Sequence, residues 1–166
     1  MRKLLQMIDQ TSLLFGKTSS LLTLFAALVV VYEVIMRHFL HLPTLWASEF
    51  TSMACSALYF LGGAWVLYQK KHVNIEMIYE KFSPRGKVIS DLATYGFFAI
   101  YAGMMTWHSS IFALESIQLG ETTASPWNPV IYPSKLIMAF GFMILFLQGS
   151  AKFVRDLYLL IKGKAL

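Results

Sequence analysis

The sequence predicts an all-α membrane protein with four transmembrane helices, short interfacial amphipathic helices and both termini in the cytoplasm. Of its 166 residues, 57% are hydrophobic and only 14% are charged, whereas soluble domains carry about 25% charged residues. The hydrophobic residues fall into four blocks, each long enough to cross a bilayer core of ~30 Å as a helix. All lysines and arginines except Arg37 and Lys135 lie in the N-terminal segment, the loop between the second and third blocks, and the C-terminal segment.

The distribution of basic residues predicts the topology. The positive-inside rule places those three basic segments in the cytoplasm. The net charge of +5 is therefore explained by topology and by contact with anionic membrane lipids, and nucleic acid is not expected as a partner. The single cysteine, Cys55, excludes an internal disulfide and a multi-cysteine metal site.

The elements follow in order along a single membrane domain, residues 1–166. In residues 1–18, Leu4, Leu5 and Ile8 share a side opposite Asp9, which predicts a short interfacial helix. The chain is then divided into transmembrane helices over 19–40, 45–68, 92–114 and 131–151, a periplasmic loop over 115–130 and a cytoplasmic tail over 152–166.

The loop after the second transmembrane helix contains a further periodic pattern. Ile75, Ile78 and Phe82 recur at helical spacing while acidic and basic residues lie mostly on the other side. This pattern predicts an amphipathic helix over 73–84 at the membrane surface, ended by Ser83 and Pro84.

Ionisable residues inside the predicted spans are the strongest candidates for a specific role, because charges within a bilayer are costly and usually face protein or water. These residues are Glu33, Arg37, Glu49 and Lys135. Glu33 and Arg37 are four residues apart in the order that favours an ion pair on a helix. All four lie in the outer half of the bilayer, which predicts one charge cluster joining helices 1, 2 and 4. Acids spread across the membrane would indicate a proton or ion pathway, so the cluster fits a structural clamp better.

Small residues mark where helices can approach closely. Such positions share one face on helix 2 and one face on helix 3, and two glycines are candidates on helix 4. The positions are Ser52, Ser56, Tyr59 and Gly63; Gly96, Ile100 and Gly103; and Gly141 and Gly149. The pattern does not distinguish contacts within the chain from contacts with another chain.

No motif for catalysis, a cofactor or a metal is found, so we expect neither an enzyme nor a bound cofactor. Two alternatives remain open. His38 and His108 lie near the outer ends of helices 1 and 3, as in a membrane anchor that binds haem between facing helices. Glu33 could instead bind protons in a small four-helix exporter, although exporters of that kind are shorter and lack the long cytoplasmic loop.

Short motifs in fixed order resemble the small membrane subunit of tripartite ATP-independent periplasmic (TRAP) transporters, the Q-type or DctQ-like subunit. The resemblance covers nearly the whole chain. Its motifs are Arg37-His38, Trp46 to Phe50, Lys71 to Ile75, Phe82-Ser83-Pro84, Trp127-Asn128-Pro129, Pro133-Ser134-Lys135 and Gln148-Gly149.

The resemblance implies a non-catalytic scaffold subunit in the bacterial inner membrane. Such a subunit pairs with a large M-type membrane subunit that holds the sodium and substrate sites. A periplasmic substrate-binding protein delivers the substrate, usually an organic acid, and a sodium gradient drives uptake. Glu33, Arg37, Glu49 and Lys135 would then hold the helices or the seam between subunits. The outer loop with Glu121, Trp127 and Asn128 would lie near the docked binding protein.

Overall fold

The computed structural model describes residues 2–69 and 82–162, and these form four helices. In chain order they are α1 (Arg2–His38), α2 (Ala47–Tyr68), α3 (Pro84–Leu119) and α4 (Tyr132–Lys162). Each is long and apolar enough to cross a membrane. The predicted all-α protein with four membrane spans is therefore confirmed.

The helices run alternately between two ends of the molecule. The terminal end is where α1 begins and α4 finishes. The loop end carries the connections 39–46 and 120–131. At ~1.5 Å per residue, the 22 residues of α2 match a bilayer, whereas the 37 residues of α1 extend over about 55 Å. The three longer helices therefore project beyond α2 or tilt.

The spatial order of the helices differs from their order in the chain. α2 packs along both α1 and α4, and α4 packs along both α2 and α3, while α1 meets α4 over a shorter length. α2 and α4 are thus central, and α1 and α3 lie at the flanks. Large apolar side chains on both flanking helices are exposed, including Leu28 on α1 and Phe97 on α3.

Two glycines on α4 allow the central contacts. A Cβ at Gly141 would lie 2.6 Å from the backbone oxygen of Phe60 on α2, and a Cβ at Gly149 would clash with the Phe98 ring on α3. By contrast, a Cβ at Gly63 or Gly96 would meet nothing within 4 Å. The small residues of α4 therefore serve contacts within the chain, whereas those two positions on α2 and α3 do not.

The N-terminal segment differs from the prediction of a separate interfacial helix. Residues 2–18 continue without a break into the first membrane span as part of α1. No proline interrupts Arg2–His38, and Gly16 packs directly against the Trp65 side chain of α2. A continuous helix results because its first half has a partner to pack on inside the protein.

Ser83 and Pro84 have a further role at the start of α3. Ser83 is the N-cap of α3, and its Oγ accepts a hydrogen bond from the backbone N–H of Gly86 at 3.2 Å. Pro84 occupies the first helical position. Its lack of an N–H costs no hydrogen bond there, because the first N–H groups of a helix have no acceptor within the helix. The pair therefore begins a helix that extends to Leu119 and is closed by Gly120 in the left-handed conformation (φ 57°). The helix is longer at both ends than the predicted span 92–114.

The predicted surface helix over 73–84 lies mostly outside the described residues, and so do Ile75 and Ile78. Phe82 lies within them and is exposed, just before the cap of α3. At the other terminus, α4 continues to Lys162, through most of the segment predicted as a tail after residue 151.

Candidate functional site

The first group of polar residues lies at the loop end of α1. Arg37 donates to the Glu33 carboxylate from Nε at 3.1 Å and from Nη2 at 2.7 Å. The other carboxylate oxygen accepts from the Thr44 hydroxyl and from the Thr44 backbone N–H at 3.2 Å. Glu33 therefore fastens the α1–α2 connection to α1, while the Arg37 side chain stays 63% exposed.

The connection between α3 and α4 folds back on itself over the loop end. Thr122 and Val130 form an antiparallel bridge, and the N–H of Thr123 donates to the Pro129 carbonyl at 3.0 Å. The N–H of Ile131 donates to the Glu121 carbonyl at 2.9 Å. This pairing gives the loop a fixed shape and directs Glu121 and Thr123 toward the helix ends.

Glu49 on α2 binds this loop through a chain of hydroxyls. Thr123 donates to Glu49 Oε2 at 2.8 Å and lies 2.9 Å from the Ser125 hydroxyl. Because the single hydroxyl proton of Thr123 is used on Glu49, Ser125 must donate to Thr123. Ser125 in turn accepts from the backbone N–H of Asn128 at 3.0 Å. One carboxylate thus organises the loop as far as Asn128, a non-glycine residue at φ 49°.

Lys135 on α4 also turns to the loop. Its buried ammonium forms an ion pair with Glu121 and lies 3.5 Å from the centroid of the Phe112 ring. The ring supplies a cation–π contact from α3. The Lys135 ammonium lowers the pKa of the Glu121 carboxyl below its ordinary value. Lys135 therefore joins α4, α3 and the loop at one point.

The prediction of one charge cluster is corrected by this geometry. Glu33 and Arg37 form the expected pair, but Glu49 and Lys135 bind the folded loop at Thr123 and Glu121 instead of joining that pair. The physical reason is the loop itself: because it pairs with itself, it brings its own carboxylate and hydroxyls to the helix ends. The candidate residues are thus divided among three local contacts.

The residues named for a possible partner outside the membrane lie on this same loop. Trp127 is 41% exposed, Asn128 is exposed, and the Glu121 side chain is 38% exposed even while paired with Lys135. They sit on a loop held at both ends by side chains of α2 and α4.

A second polar group lies at the terminal end and joins α1 to α4. Asp9 accepts from Arg155 at 2.7 Å and from the Gln148 amide at 3.1 Å. Gln148, itself buried, accepts from the buried hydroxyl of Ser12 at 2.9 Å. Arg155 also donates to the Leu5 carbonyl at 3.3 Å. The first turns of α1 are therefore fixed to the last turns of α4.

α3 is attached to α4 at the same level. Lys152 forms an ion pair with Asp91 at 2.7 Å. The Tyr95 and Ser150 hydroxyls lie 3.0 Å apart, and the Tyr95 ring stacks on Phe153 with centroids 4.1 Å apart. Because the Ser150 hydroxyl proton is donated to the Phe146 carbonyl, Tyr95 is the donor to Ser150.

Sequence reasoning missed the terminal-end group. Asp9 was assigned to the polar side of a separate surface helix, although Asp9, Ser12, Gly16 and Ser19 form a small and polar stripe at helical spacing. That stripe is the signal in the sequence for packing against another helix, because a helix lying on lipid would place apolar side chains, and not serines, on its buried side. Its partner on α4 carries the matching Gln148 and Arg155.

The positions of His38, His108 and Glu33 do not support haem binding between helices or proton binding in an exporter. His38 and His108 lie on α1 and α3, the two flanking helices, whose extensive contacts are with α2 and with α4 respectively. The Glu33 carboxylate is taken up by Arg37 and Thr44. Within residues 2–69 and 82–162, no group of three or more His, Cys, Asp or Glu side chains could hold a metal ion.

Comparison with known proteins yields one finding that bears on function. A protein-family model described as tripartite ATP-independent periplasmic transporters, DctQ component, matches residues 26–158. This range runs from the second half of α1 to near the end of α4. It includes the loop-end polar residues and the α3 and α4 residues of the terminal-end group, and Asp9 and Ser12 of α1 lie before it. No curated protein sequence matches the chain.

Proposed function

The chain belongs to the DctQ component family of tripartite ATP-independent periplasmic transporters, and on this basis we propose that it is the non-catalytic subunit that braces a larger transport subunit. Membership makes it a small permease component and a multi-pass membrane protein, as the resemblance implied. The finer assignment concerns what this component contributes to transport.

The observation that carries the proposal is the position of the charges. No Asp, Glu, Lys or Arg occurs between Lys17 and Glu33 on α1 or between Lys135 and Lys152 on α4. The other two helices have similar gaps, over residues 50–68 and 92–114. The ion pairs of the described residues lie at the two ends.

The separation of the two polar groups matches a membrane. Lys135 and Lys152 are 17 positions apart on α4, or about 26 Å along the axis, close to the ~30 Å of a bilayer core. Residues that carry ions or acids across a membrane are usually polar groups facing a protein interior or a water-filled cavity. A chain held together at both faces, with no charged residue between them, is suited to a brace and not to a conduction path.

The rest of the assignment follows from the family and from the basic segments. The large M-type subunit would hold the sodium and substrate sites, and the imported compound would be an organic acid. Both termini would lie in the cytoplasm of a bacterium and the loop end in the periplasm. There the loop carrying Trp127 and Asn128 would lie near the docked substrate-binding protein.

Reconstitution tests the proposal directly. Three kinds of vesicle would be prepared, with this chain alone, with the large subunit alone and with both. The periplasmic binding protein and its organic acid would be added outside, and a sodium gradient directed inward would be imposed across the membrane. We expect uptake with both subunits, little with the large subunit alone, and none with this chain alone. Sodium-driven uptake by this chain alone would refute the proposal that it is a non-catalytic brace. Full uptake by the large subunit alone would show that the large subunit needs no brace.

A further inference from the structure

A groove lies between α1 and α2 in the half of the membrane next to the loop end. Its volume is about 350 Å³, within the range of about 300–1,000 Å³ that is typical of small-molecule sites. Its surface is almost entirely apolar, although two ionisable residues stand among the residues that line it. The lining residues are Val30, Glu33, Val34, Arg37, Ala47, Ser48 and Thr51.

The depth of the groove fits within one leaflet of a bilayer. Val30 and Arg37 are seven residues apart on α1, which is about 10 Å along the helix axis, and half of a bilayer core is about 15 Å. Arg37 is the last residue but one of α1 and lies at the loop end, whereas Val30 lies closer to the membrane centre. The groove therefore has a cation at its outer end and apolar walls below it, which is the arrangement that complements a phospholipid.

The guanidinium of Arg37 is held in a fixed position at the outer end of the groove. Its Nε and Nη2 donate to Glu33 at 3.1 Å and 2.7 Å, and the other carboxylate oxygen of Glu33 accepts from Thr44. The Glu33 side chain is only 13% exposed, whereas that of Arg37 is 63% exposed. Its Nη1, on the opposite edge of the guanidinium from Glu33, has no hydrogen-bond partner in the part of the chain that the structure describes. An anion at the membrane surface can accept from that edge.

The α2 wall adds a second attraction for an anion. Ala47 and Ser48 belong to the first turn of α2 and line the groove. No side chain caps this turn, since the N-cap residue Trp46 makes no side-chain hydrogen bond. Uncapped N–H groups and the helix dipole favour a negative group at a helix N-terminus. Glu49, the acidic residue of the turn, accepts from Thr123 of the loop and is not among the lining residues.

The dimensions of the groove favour an acyl chain over a protein helix. A helix with its side chains is about 10–12 Å in diameter, so it fills about 800 Å³ or more over a length of 10 Å. That volume is more than twice the volume of the groove. An extended acyl chain is one carbon wide, and it leads from a phosphate at the membrane surface toward the membrane centre.

We propose that this groove binds one phospholipid, with an acyl chain between α1 and α2 and the phosphate on the guanidinium of Arg37. The bound chain fills the space that the two helices leave open near the loop end, and the lipid thereby becomes part of their contact. The site requires only the bilayer in which the chain resides. It therefore stands or falls separately from the proposed function.

Two valines of α1 provide a matched pair of variants. Val34 lines the groove and Val31 does not, while the two residues are 55% and 56% exposed. The full chain would be purified in mild detergent with phosphatidylglycerol added, and native mass spectrometry would count the phospholipid that stays bound. We expect one retained phospholipid per wild-type chain and unchanged retention by Val31→Trp.

Retention should fall when either part of the site is removed. Val34→Trp should lower it by about tenfold or more, because losing the burial of about two CH₂ groups already has that effect. Arg37→Gln should also lower it by about tenfold or more, the factor for one charge-assisted hydrogen bond. Equal retention by Val34→Trp and Val31→Trp, or full retention by Arg37→Gln, would overturn the site.

A comparison of ligands on the wild-type chain keeps the test decisive if a variant fails to fold. Diacylglycerol with the same chains lacks the phosphate, and inorganic phosphate lacks the chains, so neither should displace phosphatidylglycerol. Displacement by inorganic phosphate would mean that the anion alone binds, and equal retention of diacylglycerol would mean that the chains alone bind. Either result, or a wild-type chain that retains no phospholipid, would overturn the proposal. Loss of the lipid when a second copy or another membrane protein binds the chain would likewise overturn it, because the groove would then be a protein contact.

Discussion

Gly141→Ala is expected to weaken the contact between the two central helices. The added Cβ would lie 2.6 Å from the Phe60 backbone oxygen and 2.8 Å from its carbonyl carbon. Carbon atoms in good contact are about 3.5–4.0 Å apart, so α4 must move by about 1 Å. The obstacle is backbone within α2, and a rotamer change cannot relieve it. Overpacking of this kind costs about 1–3 kcal/mol.

Gly96→Ala is the matched control, because a Cβ there meets nothing within 4 Å. Both substitutions gain about 1 kcal/mol of intrinsic helix preference. Their difference therefore isolates the clash and amounts to roughly 5- to 150-fold in the unfolding equilibrium constant. The assay is unfolding of purified chain from mild detergent with increasing SDS, followed by helical circular dichroism. If Gly141→Ala proved as stable as Gly96→Ala, the close approach of α2 and α4 would be wrong.

Three further outcomes are expected. Arg155→Met should lower the unfolding free energy by about 1–3 kcal/mol; additivity with Asp9→Asn in a double-mutant cycle would contradict their contact. Because the Glu121 pKa is lowered, its stabilising effect is present above about pH 4.5 and is lost as pH falls through the lowered value. Acidification from pH 7 to about 3 should thus lower the melting temperature of wild type more than that of Glu121→Gln; equal losses would contradict a stabilising ion pair between Glu121 and Lys135. Trp127→Ala should reduce uptake supported by the binding protein without changing recovery of the large subunit; unchanged uptake would remove the loop from the docking region.

The number and type of spans were predictable because they depend on local composition. An apolar run of about 20 residues must form a helix in lipid, whatever its neighbours are. α2 illustrates this, since its predicted span and the observed helix both end at Tyr68. Helix ends that depend on tertiary contacts were less predictable. Residues 2–18 are part of α1 because Gly16 packs on α2 and Ser12 packs on α4.

The polar contacts were predictable in kind but only partly in partner. A spacing of four residues on one helix suffices to pair Glu33 with Arg37. No spacing in the sequence reveals that the loop after α3 pairs with itself and brings Glu121 to Lys135, because that depends on the fold of the loop. Contacts between the chain ends, such as Asp9 with Arg155, likewise depend on which helices become neighbours.

The two polar groups give the molecule a simple mechanical design. At the loop end, Glu49 and Lys135 fasten one loop to α2 and α4. At the terminal end, Arg155 and Lys152 fasten α1 and α3 to α4. α4 takes part at both ends, which makes it the central member of the proposed brace.

The most direct test of the brace is a pull-down of the tagged chain from its native membrane in mild detergent, followed by mass spectrometry and an absorbance spectrum. The account predicts a stoichiometric large membrane protein and no Soret band. A chain recovered alone, or one that carries haem, would contradict it and direct attention back to Glu33 and to the histidines His38 and His108.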